Sequence, residues 1–115
     1  PPLEWLDRFL AACAGCRVDA IAFHDYTCHA KWLMKHIDEY RRYGKPLWLT
    51  EFCCNDPADP ERRGMAGQMD YMREAIPMLE REPIIERYAW FSYFDDQWAH
   101  PIGGVGADAG LVHAD

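Results

Sequence analysis

The sequence predicts an α/β fold whose strands run parallel. Three observations carry this. Helical and strand-like segments alternate in the order α-β-α-β-α-β. The turns from helix to strand are short, and each helix is long enough to serve as a right-handed crossover. The strand-like runs are nearly continuous apolar segments, the pattern of strands covered on both faces. Three such strands fit either a doubly wound sheet or part of a barrel.

Each element has its own signal. Residues 3–14 read as a helix, with Leu6, Phe9, Leu10 and Cys13 on one face and Gly15 as terminator. Residues 18–23 are a short apolar run with β-branched members, a buried strand. Residues 29–43 read as a helix burying Leu33, Ile37 and Tyr40, stopped by Gly44 and Pro46. Residues 47–52 form a second apolar strand, and residues 55–60 are loop chemistry rich in Asp and Pro. Residues 61–80 read as a helix whose core face is Met65, Met69, Met72, Ile76 and Leu79, with Pro77 kinking it or ending its regular part. Residues 84–94 make a third strand, broken by Asp95 and Asp96, and the tail from Pro101 is glycine-rich.

Composition limits the function classes. The chain has 115 residues, 12 basic and 19 acidic, for a net charge of −7. That balance argues against a nucleic-acid partner. No apolar run approaches the ~20 residues of a membrane span. The sequence opens without Met and without a signal-peptide pattern, so the expectation is that the natural N-terminus lies upstream. Of five cysteines, Cys13 and Cys16 form a CxxC at the end of a helical stretch, where a structural role is expected, as buried thiols or a local disulfide. A zinc site would want a second CxxC or a well-spaced His pair, so no metal is expected. Cys28 and the pair Cys53 and Cys54 follow adjacent strands; a bridge between them is expected if their Cα atoms come within about 7 Å. Gly103, Gly104 and Gly106 match no phosphate-loop spacing.

In parallel α/β folds the site lies at the C-terminal ends of the strands. The first strand delivers His24 and Tyr26, the second Glu51, the third Trp90, and Trp98 follows in the next loop. Carboxylate, hydrogen-bond donors and flat aromatics are what a sugar site needs. Glu51 is the most telling of these, a carboxylate at the end of an otherwise apolar strand. Strand alternation groups Leu47, Leu49 and Glu51 on one face.

These residues resemble a known family. Cys13, Cys16, Val18, Asp19, His24 and Tyr26, then Tyr43, Pro46, Trp48, Thr50, Glu51 and Phe52, then Glu86, Arg87, Tyr88, Trp90 and Phe91, are similar to family 128 of the glycoside hydrolases, the glycosyl hydrolase catalytic core proteins. The resemblance runs from about residue 5 to residue 94. It implies the C-terminal part of a (β/α)₈ TIM barrel, about strands six to eight with their helices. Residues 1–115 would then be one partial catalytic domain lacking the N-terminal half of the barrel. It implies a retaining hydrolase of β-1,3-glucan with Glu51 as nucleophile, His24 and Tyr26 as strand-six site residues and Trp90 as the strand-eight aromatic. Trp98 is a candidate second sugar platform.

The acid/base expected from strand four of that family has no counterpart here, and Asp25 stands where an aromatic is common. The implied mechanism needs no metal or organic cofactor. The implied partner is a β-glucan polysaccharide, not a membrane, and the implied setting of the full-length protein is secreted or cell-wall associated. The isolated chain is expected to self-associate and to be nearly inactive. A non-catalytic carbohydrate-binding or scaffold module of the same fold is the alternative.

Overall fold

A computed structural model describes residues 2–91 of the chain. Helix α1 (Pro2–Ala12) leads to strand β1 (Ile21–Asp25), then helix α2 (Ala30–Tyr40) with a 3₁₀ turn at Arg41–Tyr43, strand β2 (Leu47–Phe52), a 3₁₀ turn at Pro60–Arg62, helix α3 (Met65–Glu80) and strand β3 (Ile85–Trp90). The strands form one parallel sheet in the order β1-β2-β3. Trp98, Asp95, Asp96 and the glycine-rich tail lie outside the described residues.

The core sits between one face of the sheet and helices α2 and α3. Ile21, Phe23, Leu47, Leu49 and Phe52 point toward the helices; Leu33, Ile37 and Tyr40 of α2 meet them, with Tyr71, Ala75 and Leu79 of α3. Leu33, Ile37, Leu47, Leu49 and Phe52 are completely buried, and each such side chain contributes about 1.5–3 kcal/mol relative to exposure. The α2 face is the one its spacing predicts. Gly44 ends this crossover with φ of 61°, a left-handed conformation that costs glycine little.

Several expectations change. The strands are covered on one face rather than two: Ala22, His24, Trp48 and Thr50 are exposed, because both α2 and α3 lie on the opposite side. This open face carries polar contacts: Trp48 donates to Glu86 and lies under Arg87.

The buried face of α3 is not the methionine stripe. Met65 and Met69 are about half exposed, while Gln68, Tyr71, Ala75 and Leu79 are buried. Gln68 decides the rotation. Its amide nitrogen donates to the Cys54 and Arg63 carbonyls and its oxygen accepts from the Cys54 amide. A polar side chain is buried at little cost when its hydrogen bonds are met, so hydrophobic spacing alone misplaces this helix. The helix also continues through Pro77 to Glu80.

Helix α1 ends at Ala12, before Gly15, and buries none of its residues; Phe9 instead stacks on Trp5 at the surface. The turn after it is closed by a Cys13–Cys16 disulfide. Strand β3 ends at Trp90, and the Phe91 amide donates to the Phe52 carbonyl.

Candidate functional site

The site is built by an irregularity in β2. Phe23 pairs with Leu49, but His24 pairs with Glu51, so Thr50 is an extra residue in β2. Such a bulge breaks the two-residue alternation. Glu51 turns to the open face, beside His24, and Phe52 turns into the helix-covered core, beside Asp25. Glu51 therefore does not share a face with Leu47 and Leu49, as simple alternation would have it. The Thr50 hydroxyl reaches back toward the Phe23 carbonyl at 3.5 Å.

Two side chains from the end of β1 meet the Glu51 carboxylate. The Tyr26 hydroxyl donates to Oε2 at 2.5 Å. His24 Nδ1 lies 3.2 Å from the same oxygen. The Glu51 side chain is 31% exposed and that of His24 50%, so a solute can reach both. Burial pushes the Tyr26 phenol well above the usual tyrosine range, helped by its hydrogen bond to Glu51 and by the nearby charges of Glu51 and Cys53. Tyr26 thus stays a donor at any physiological pH.

The loops behind this pair are tied together. Cys28, two residues after Tyr26, is bonded to Cys54, three residues after Glu51, with Cα atoms 4.3 Å apart. The Asn55 amide donates to the Tyr26 carbonyl at 3.0 Å. Gln68 holds both backbone groups of Cys54. Asp25 is 5% exposed and faces the other way, toward Thr27 and toward His36 of α2.

The structure brings His24, Tyr26 and Glu51 together. It places Trp90 in register with Phe52 rather than Glu51. The Trp90 indole packs against Phe52 and Tyr71, and with Tyr26 and Phe91 it covers Cys53. It reaches the site through that shared contact. Trp98 lies outside the described residues. Sequence reasoning missed the bulge at Thr50 and the roles of Gln68 and Asp25. The available signal was a Gln at helical spacing before Tyr71, Ala75 and Leu79. Among the described residues no group of three or more His, Cys, Asp or Glu side chains is placed to hold a metal ion, and no helix is long and apolar enough to cross a membrane.

The model of the glycosyl hydrolase catalytic core family matches residues 2–114. The chain belongs to this family. A curated relative, alkali-sensitive linkage protein 1 of Schizosaccharomyces pombe, is 33% identical over 109 residues, which is 95% of this chain and 20% of that protein. Among solved structures, a family 128 (subgroup II) endo-β-1,3-glucanase from Sorangium cellulosum is similar with a TM-score of 0.71 and 36% identity, over 97% of this chain and 42% of that one. A subgroup I endo-β-1,3-glucanase from Amycolatopsis mediterranei, in complex with laminarihexaose, is similar with a TM-score of 0.67 and 34% identity, over 76% of this chain and 41% of that one. The α/β fold with its parallel three-stranded sheet matches these family structures. The chain spans a fifth of the curated relative and under half of each solved one.

Proposed function

We propose that the full-length protein carrying this chain is a retaining glycoside hydrolase acting on β-1,3-glucan, with Glu51 as its nucleophile. The observation that carries the reading is the pair of contacts on one Glu51 oxygen, from Tyr26 and His24, at the rim of a parallel sheet. With Oε2 held by Tyr26 and His24, Oε1 is left as the oxygen to attack the anomeric carbon. Attack forms a glycosyl-enzyme as the glycosidic bond breaks and its leaving oxygen takes a proton from a second carboxyl group; water, deprotonated by that same group, then hydrolyses the ester. A retaining site needs a second carboxyl group about 5–5.5 Å from the first, as acid and then base. We assign it to a part of the protein beyond this chain. The same reading makes the three strands the sixth to eighth of a closed barrel, whose remaining strands cover the open face.

His24 is proposed to meet a sugar hydroxyl when substrate displaces it from Glu51. Trp90 and Trp98 are proposed as aromatic walls for the glucan, Trp90 from its seat on Cys53. Relatives that carry the name endo-β-1,3-glucanase, one of them with laminarihexaose bound, support the substrate class. A secreted or cell-wall setting is proposed on the two disulfides, which persist in oxidising compartments.

The test uses the full-length protein on laminarin. Wild type should hydrolyse it with retained anomeric configuration. Glu51→Gln should lose at least about a thousandfold in turnover while still binding laminari-oligosaccharides. Binding without hydrolysis by the wild type would replace the enzyme with a carbohydrate-binding module.

A further inference from the structure

Asp25 lies between the two residues that touch Glu51, yet it points the other way. It is in register with Phe52 and faces the helices. At 5% exposure it is one of two buried polar residues among those described. A carboxyl group out of water is costly unless its oxygens are met. Here both are. Oδ1 accepts from the Thr27 amide at 3.0 Å and from the Thr27 hydroxyl at 2.6 Å. Oδ2 lies 2.5 Å from His36 Nδ1.

The two halves of this network do different things. The Oδ1 contacts close a tight turn over residues 25–27, the arrangement by which Asp fixes the backbone two residues on. Tyr26 is the middle residue of that turn. The Oδ2 contact ties the turn to α2, whose Leu33 and Ile37 are completely buried on either side of His36. The strand end is therefore fixed to a packed helix. On the opposite side, the same segment aims Tyr26 at Glu51 across 2.5 Å. A hydrogen bond of this kind is lost within about 1 Å of displacement.

We propose that Asp25 is a positioning residue for the Glu51 site, its carboxyl locked by Thr27 and His36 so that the end of β1 presents Tyr26 to Glu51. The proposal rests on the reading of Glu51 as nucleophile for its effect on turnover, but not for its effect on geometry.

The experiment is a double-mutant cycle in the full-length protein. The kcat and KM on laminarin are measured for wild type, Asp25→Asn, Tyr26→Phe and the double variant. In parallel, the isotope-labelled Tyr26 phenol is titrated by NMR. Asp25→Asn should lower kcat about tenfold with KM within about twofold, and should have no further effect once Tyr26 is Phe. The Tyr26 titration should move down toward the ordinary tyrosine range. If Asp25→Asn does not fold, His36→Gln, at a half-exposed position, is read the same way. Losses that multiply, or a Tyr26 titration that does not move, overturn the proposal. An inactive wild type whose Tyr26 titration still falls on Asp25→Asn removes the glucanase reading and leaves the positioning role standing.

Discussion

The Tyr26 hydroxyl donates to Oε2 of Glu51 at 2.5 Å, from the end of one strand to the end of its neighbour. The two residues are 25 apart in sequence. They meet because Thr50 is an extra residue in β2 and turns Glu51 to the open face.

Tyr26→Phe removes this donor and leaves the ring. A hydrogen bond to a charged group is worth about 1.5–3 kcal/mol, or about ten- to a hundredfold in rate where it orients the attacking carboxylate. In the full-length protein, kcat on laminarin should fall by that factor, with the thermal midpoint within a few degrees of wild type. An unchanged kcat would remove Tyr26 from the support of Glu51 in its proposed role as nucleophile.

The disulfides can be counted. Under denaturing, non-reducing conditions the chain should show one reactive thiol, and five after reduction. The Cys28–Cys54 bridge spans a separation of 26 residues. Closing such a loop is worth about 3 kcal/mol by the chain-entropy model. Reduction, or Cys28→Ser with Cys54→Ser, should lower stability to denaturant by that order. Five thiols before reduction would exclude both bridges.

Gly67 sits where α3 crosses the Pro60–Arg62 turn. A Cβ there would overlap the Arg62 backbone. Gly67→Ala should therefore destabilise the protein by about 1–3 kcal/mol, although alanine is the better helix former by up to ~1 kcal/mol. Denaturant unfolding reads this directly; a more stable variant would show that the helix and turn are not in close contact.

Stability should fall on the alkaline side. Burial first, then Glu51, raises the Tyr26 phenol above its usual value, and burial does the same for Tyr71. A group whose folded pKa is raised contributes its full share below the unfolded pKa of about 10, and that share is lost as pH rises through the folded value. Denaturant midpoints measured at pH 9 and pH 11 should decline, and the decline should shrink in Tyr26→Phe. No difference between the variants would mean that Tyr26 is solvated like an ordinary phenol.

Much of the fold is legible in the residue pattern. The alternation of helix and strand, the buried face of α2 and the bounds of β2 follow from local periodicity and from Gly44. These are short-range properties: each depends on neighbours a few residues away. The placing of His24, Tyr26 and Glu51 at strand ends follows from the same pattern, because parallel strands with helical crossovers put their C-terminal ends on one rim.

Local pattern is thus enough for the α/β class, the order of its elements and the residue types delivered to the rim. Which way those residues face is set by packing between distant segments. The bulge at Thr50 exists only in the pairing of β2 with β1 and β3, so no count along β2 reveals that Glu51 leaves the face of Leu47 and Leu49. The seat of α3 depends on Gln68 meeting the backbone of Cys54 and Arg63, an exchange of hydrogen bonds that hydrophobicity cannot register. The choice of Cys54 over Cys53 as the partner of Cys28, and the turn of Trp90 toward Phe52 and Tyr71, have the same origin. Each is fixed by contacts between segments distant in the chain, where one residue of slip exchanges the inside of the sheet for the outside.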